Sequence, residues 1–146
     1  MKTNILIFTA LFGGMLATPV IAADFDYSSL QGSWTVDGVA VPGDGVQALV
    51  TDDPQYMGAT IAFAADGIEW TKGTETRPVD PEIDNCDAAP SVTPWMADPD
   101  ALDETPIEGG FDVMCADDVW GTIVPVDDQT VELYWYDSGV LTLTRQ

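Results

Sequence analysis

After about its first two dozen residues, the chain shows short stretches in which apolar and polar side chains alternate. Apolar residues at every second position give a β-strand one face that points toward a core. This period predicts strands that begin at Ser33, cover residues 60–64 and 68–71, and return from Phe111 onward. No helical pattern is long enough for a βαβ unit, so the sequence predicts an all-β domain.

Turn residues separate these stretches. Ala65-Asp66-Gly67 lies between two alternating stretches and predicts a tight hairpin. Other turns are predicted at Pro42-Gly43-Asp44-Gly45, at the capped helical turn Asp53-Pro54 that ends at Gly58, and at Asp137-Ser138-Gly139. Seven or eight short strands joined in this way predict an antiparallel up-and-down meander that closes into a small barrel.

Residues 73–109 interrupt the alternation and predict one long acidic loop. The segment contains six of the ten prolines and ten carboxylates. A loop of this length is uncommon in a compact domain. Within it, residues 98–102 are predicted to form one helical turn.

The two cysteines of the chain, Cys86 and Cys115, are predicted to form a structural disulfide that links this loop to the sheet. They do not form a Cys-x-x-Cys pair, so a thioredoxin-like redox role has no support. Closing a loop of this size stabilises a fold by roughly 3 kcal/mol. The alternatives are two separate thiols or a cysteine bonded to a partner.

The N-terminal residues 1–23 have the pattern of a cleavable secretory signal. Lys2 precedes an apolar core at residues 5–16, and Pro19 and the small residues Ala22 and Ala23 follow it. A membrane anchor is the alternative, but a spanning helix needs about 20 apolar residues. The cut is expected after Ala22 or Ala23. We therefore expect a single periplasmic or secreted domain at residues 24–146.

The expected exported domain is strongly acidic, with three basic residues against 25 acidic ones and a formal charge of −22. Such a surface repels nucleic-acid phosphates and anionic membranes, so neither is an expected partner. Two interpretations remain: a well-solvated surface, which we favour, and steering toward a cationic partner or a divalent ion.

Several kinds of catalytic site are excluded by composition. The chain has no histidine, which excludes Ser-His-Asp and Cys-His catalysis and the usual zinc sites. A carboxylate-based hydrolase remains as an alternative, but with 25 acidic residues a suitable pair can always be found, so the pattern has no specificity. We expect a protein that is not an enzyme.

No metal ligand or cofactor is assigned. Asp80, Glu82, Asp84 and Asp87 alternate as in a calcium loop, but Asn85 and Ser91 occupy positions where an EF-hand requires Gly and Glu. An irregular calcium site in the loop at residues 80–104 is the alternative to a solvated acidic loop.

The segment Gly32-Ser33-Trp34 resembles the Gly-x-Trp opening of the lipocalin-like (calycin) β-barrels. In that family the tryptophan closes one end of the barrel, and a basic residue from a late strand packs across its ring. The resemblance implies that Arg145 is this partner of Trp34. A guanidinium over an indole contributes about 1 kcal/mol or more when it is shielded from water.

The resemblance and the export signal together imply a non-enzymatic, lipocalin-like binding protein, whose partner is a small apolar ligand or a protein. The alternative is an inhibitor of a secreted hydrolase, such as a lysozyme or a protease, that acts through the acidic surface or through an N-terminal arm at residues 24–29. Candidate contact residues are Trp70, Trp95, Met96 and Trp135.

For Trp95 and Met96, docking onto the barrel as a plug is favoured over presentation to a partner. An interior filled by Trp34, Phe63, Trp70, Leu133 and Trp135 would argue against a ligand inside the barrel.

Overall fold

The computed structural model describes residues 25–43, 48–100, 107–135 and 139–146. The predicted signal segment at residues 1–23 lies outside the described residues. None of the helices within the described ranges is long and apolar enough to span a membrane.

Almost all of the regular structure is β-strand. A 3₁₀ turn at Tyr27–Leu30 precedes the first strand, and one short helix, α1, covers Pro81–Asp84. The strands are β1 (Gly32–Ala40), β2 (Thr60–Ala64), β3 (Gly67–Lys72), β4 (Ser91–Pro94), β5 (Phe111–Cys115), β6 (Asp118–Asp127), β7 (Thr130–Tyr134) and β8 (Val140–Arg145).

These strands form one antiparallel sheet that curls into a half-barrel. Its order is β3-β2-β1-β8-β7-β6-β5-β4. β1 pairs with β8, and every other pair of neighbouring strands is consecutive in the sequence. The predicted all-β meander is therefore confirmed. β3 and β4 are the two edges, and the ladder is interrupted between them, where the long loop lies.

Cys86 connects the two sides of this interruption. Its backbone N–H donates to Ile68 O of β3 at 2.8 Å, and Ile68 N–H donates to Cys86 O at 3.0 Å. Its sulfur forms the disulfide with Cys115 at the end of β5, as predicted. A Cβ at position 67 would lie 2.7 Å from Cys86 O, so only Gly67 permits this close approach.

The segment predicted as one long loop contains two short elements that the sequence pattern did not indicate. Asp80 caps α1 by accepting a hydrogen bond from Glu82 N–H at 3.2 Å, and Pro81 occupies the first turn. β4 pairs with β5 from Ser91 to Pro94. Of the turn expected at residues 98–102, Asp100 N–H donates to the Asp98 carboxylate at 2.9 Å, and positions 101–102 lie outside the described residues.

The inward faces of the strands form the core. In β1, Trp34, Val36 and Val39 are buried, although the last two are three residues apart. A bulge between Val36 and Gly38 in the β1–β8 ladder adds one residue, and this brings Val39 back to the inner face. The fully buried large apolar side chains, such as Trp34, Trp70 and Leu133, belong to one core cluster.

Candidate functional site

The first part of the site is the pair that the Gly-x-Trp resemblance implied. The guanidinium carbon of Arg145 lies 4.3 Å from the ring centre of Trp34. Gly32 has a φ of +134°, a conformation that favours glycine, and a Cβ there would crowd Arg145 Nη1 at 3.0 Å. Gly32, Trp34 and Arg145 thus act together as one structural unit.

All three nitrogen atoms of the Arg145 guanidinium donate to backbone carbonyls. Nη2 donates to Ser29 O at 2.6 Å, Nη1 to Gln31 O at 2.7 Å and Nε to Asp128 O at 3.4 Å. The cation therefore holds the segment before β1 and the β6–β7 turn against the indole.

A second arginine, which sequence reasoning did not single out, has the same relation to aromatic rings. The guanidinium of Arg77 lies 4.8 Å from the ring centre of Tyr56 and 5.1 Å from that of Trp70. It forms a two-pronged pair with the fully buried Asp84, with Nη2–Oδ1 at 2.5 Å and Nη1–Oδ2 at 3.2 Å. Burial of Arg77 lowers the pKa of its guanidinium, but its hydrogen bonds and charge interactions with Asp84 and Tyr56 outweigh the burial, so the pKa is raised.

Asp84 has further contacts that fix its position. Its carboxylate also accepts from Asp80 N–H at 2.8 Å, and its backbone oxygen accepts from Trp120 Nε1 at 2.8 Å. The signal for this pair was present in the sequence, because Arg77 is one of only three basic residues in 24–146. A rare cation in so acidic a chain is a candidate for a specific structural partner.

The barrel interior is occupied by a continuous series of aromatic rings, which we call the aromatic column. Its members are Trp34, Phe63, Trp120, Trp135, Trp70 and Tyr56, with successive ring centres 6.4, 5.7, 4.8, 5.4 and 6.1 Å apart. All six are buried. Arg145 stacks on Trp34 at one end and Arg77 on Trp70 and Tyr56 at the other, so the column fills the half-barrel between two cations.

Gly121→Ala tests how closely this interior is packed. A Cβ at this position would lie 2.8 Å from Leu133 Cδ1 and 3.4 Å from the Trp135 ring. We expect the free energy of unfolding to fall by about 1–3 kcal/mol, since added methyl groups strain a packed core. Urea unfolding measures this change, and Ala64→Val on the outer side of β2 serves as the control. A neutral Gly121→Ala would show that the interior has spare room.

The four candidate contact residues lie in two different environments. Trp70 and Trp135 are 2% and 7% exposed and are members of the aromatic column, so both belong to the core and not to the outer surface. Trp95 is half-buried, and its N–H continues the β4–β5 ladder by donating to Gly110 O at 2.9 Å. Met96 is 82% exposed, so the favoured expectation of a Trp95-Met96 plug is not met at Met96.

The acidic loop shows local hydrogen bonding at two of the carboxylates considered for calcium. Asp84 is paired with Arg77, and Asp80 caps α1. Within the ranges described above, no three or more carboxylate, cysteine or histidine residues are grouped so that they could hold a metal ion. Asp103 and Glu104 of the proposed calcium loop lie outside those ranges.

The described part of the expected N-terminal arm is folded onto the barrel. Asp26 caps the 3₁₀ turn, and hydrogen bonds from Ser28 lower the pKa of its carboxyl group. Phe25 packs against Phe111, with ring centres 4.7 Å apart, and Leu30 is fully buried. Residues 25–30 are thus part of the domain and do not extend from it as a free arm.

Tyr27 in this segment makes the stability of the fold depend on pH in the alkaline range. Burial and the nearby charge of Asp66 raise the pKa of its hydroxyl, which donates to Gly67 O at 3.3 Å. The pKa of Tyr27 in the folded chain exceeds its unfolded value of about 10. The protonated hydroxyl therefore contributes its full share to the free energy of unfolding below pH ~10, and this share is lost as the pH rises through the folded pKa. We expect Tyr27→Phe to lose less stability than the natural chain between pH 9 and 11 in urea unfolding. Parallel losses in the two proteins would contradict this.

Next to Arg145 the surface forms a cleft of about 390 Å³, which we call the Arg145 cleft. Its walls come from the segment before β1, from the β6–β7 hairpin and from the end of β8. The residues that line it are Phe25, Ser29, Trp34, Pro125, Val126, Asp127, Asp128, Val131 and Arg145. It combines an apolar base with carboxylates at one side.

Comparison with known proteins gave no relatives: no protein-family model, no curated protein and no solved structure matches this chain.

Proposed function

We propose that this chain is an exported, non-enzymatic binding protein that recognises a cationic secreted protein through its outer surface. The observation that carries the proposal is the aromatic column. Because six buried rings occupy the interior, an apolar ligand inside the barrel has less support than a partner bound outside it. The lipocalin resemblance then bears on architecture, and the surface carries recognition.

The distribution of charge supports a cationic partner. Of the three basic residues in 24–146, Arg77 is paired with the buried Asp84, and Arg145 is held against Trp34 by backbone carbonyls. Lys72 is the remaining basic residue, and it is exposed. The acidic side chains therefore dominate the outer field, which accelerates encounter with a positively charged protein.

Export is part of the proposal. The signal pattern at residues 1–23 and the Cys86–Cys115 disulfide both fit an oxidising compartment, either the periplasm or the medium. A secreted hydrolase such as a lysozyme or a protease is the partner class we favour, with the chain as its inhibitor. The exposed Met96 supplies an apolar contact beside the acidic residues Asp98 and Asp100.

Affinity capture tests the proposal. Residues 24–146 are immobilised and exposed to the extracellular fraction of the producing organism, once at about 20 mM salt and once at about 500 mM salt. A resin that carries polyglutamate of equal charge density is the control. We expect the folded chain to retain at low salt a protein of high isoelectric point beyond those that polyglutamate also retains. The retained hydrolase should lose activity when the chain is added.

Two results would contradict the proposal. One is no protein retained at low salt beyond those on polyglutamate. The other is a retained set that is neutral or acidic and insensitive to salt.

A further inference from the structure

The Arg145 cleft joins an apolar base to two carboxylates at its rim. Trp34 and Val131 lie beneath the base and are only 1% and 2% exposed, so the half-buried Phe25 and Pro125 supply its accessible apolar surface. Val126 at the rim is 56% exposed, although it is a large apolar residue. A surface of this kind suits a side chain that is apolar along its length and polar at its tip.

The polar groups of the cleft indicate that the tip of such a bound side chain is positively charged. Asp127 uses one carboxylate oxygen to accept Gln129 N–H at 2.8 Å, and among the described residues the side chain of Asp128 makes no hydrogen bond. Carboxylate oxygens with free lone pairs at an exposed turn can accept hydrogen bonds from an ammonium or guanidinium group.

Arg145 does not make the cleft a site for anions. Three of its five N–H groups donate to backbone carbonyls, and one face of the guanidinium covers Trp34. The two carboxylates outnumber this single cation in the lining. A separate groove of about 660 Å³ is lined by Lys72 and Glu75 among other residues and has no excess of negative charge.

We propose that the Arg145 cleft receives one lysine or arginine side chain of the protein partner. The aliphatic stem lies on the exposed Val126 and the half-buried Phe25 and Pro125, and the cationic head binds Asp127 and Asp128. The inference rests on the proposed function, since it names the place on the acidic surface where the partner is anchored. The volume of about 390 Å³ lies within the range of small-ligand sites and exceeds what one such side chain needs.

The chain itself contains a matched control for the two carboxylates. β6 begins at Asp118, preceded by Asp117 in the β5–β6 turn, and ends at Asp127, followed by Asp128 in the β6–β7 turn. All four residues are exposed. Asp127→Asn/Asp128→Asn and Asp117→Asn/Asp118→Asn therefore make the same change of charge at the two ends of one strand.

The small-molecule test uses Nα-acetyl-lysine methylamide, with the norleucine analogue as an uncharged probe of equal stem length. We expect the lysine probe to give saturable shifts in the ring resonances of Phe25 and the methyl resonances of Val126. The norleucine probe should bind more weakly. Asp127→Asn/Asp128→Asn should weaken the lysine probe about fivefold, while Asp117→Asn/Asp118→Asn changes it less than about twofold.

The same variants are then compared on a cationic protein, with lysozyme as the probe, at about 50 mM salt. We expect the cleft variant to weaken binding more than the control variant. Equal weakening by both pairs would overturn the cleft while leaving the acidic surface as the binding site. Binding of the lysine probe without binding of any cationic protein would overturn the proposed function instead. Absence of cleft-specific shifts with the lysine probe overturns the inference directly.

Discussion

Replacing Arg77 by methionine is expected to lower the free energy of unfolding by about 3 kcal/mol. The substitution leaves the Asp84 carboxylate without its cation, and Asp84 is 0% exposed. Removing one partner of a buried ion pair costs roughly 3–5 kcal/mol. The lower end applies because the Arg77 side chain is 18% exposed and the Asp84 carboxylate retains the N–H of Asp80. The measurement is urea unfolding at neutral pH.

Two further variants separate the ion pair from other effects of this substitution. Lys72→Met removes an exposed cation from the end of β3 and should change stability by less than about 0.5 kcal/mol. Arg77→Met combined with Asp84→Asn should cost less than the sum of the two single changes, because neither charge is then left alone. Additive losses, or an Arg77→Met loss as small as that of Lys72→Met, would show that the pair does not stabilise the fold.

Removing the disulfide is expected to have a comparable effect. Cys86→Ala/Cys115→Ala should lower the free energy of unfolding by about 3–4 kcal/mol on the chain-entropy account, given a sequence separation of 29. The loss should also be local, since Cys86 pairs with Ile68 across the interruption between β3 and β4. Amide hydrogen exchange at Ile68 and at position 86 should accelerate more than exchange at Val36 in the middle of β1.

The single variants Cys86→Ala and Cys115→Ala serve as controls for this prediction. Each breaks the same covalent bond, so each should lose nearly as much stability as the double variant. A double variant within about 1 kcal/mol of the natural chain, with unchanged exchange at Ile68, would show that hydrogen bonding alone holds the loop on β3.

Predictions that depend on neighbouring residues agreed with the fold. Alternation along residues 60–71 and the turn at Ala65-Asp66-Gly67 specified β2, β3 and the hairpin between them, which pairs up to Ala64 and Gly67. The capped turn after Asp53 is also present, with Gln55 N–H donating to the Asp53 carboxylate at 2.9 Å. Strand period and turn chemistry act over a few residues, so the sequence alone carries them.

The short strand β4 shows where the sequence signal fails. Its four residues, Ser91–Pro94, follow a stretch rich in proline and carboxylates and show little alternation. They form a strand because β5 offers them a partner in register, with Val92 opposite the fully buried Val113. Pairing with a distant strand decided this element, and local propensity did not.

The chain by itself determined the strand rhythm, the β2–β3 hairpin, the partners in the disulfide and the excess of negative charge, since each depends on composition or on neighbours in sequence. Only the tertiary structure decided that the ladder is interrupted between β3 and β4, that Arg77 pairs with Asp84 against aromatic rings, and that six rings fill the interior. The Arg145 cleft also belongs to this second group. These features depend on register and packing between segments far apart in the chain, which the local pattern of residues does not encode.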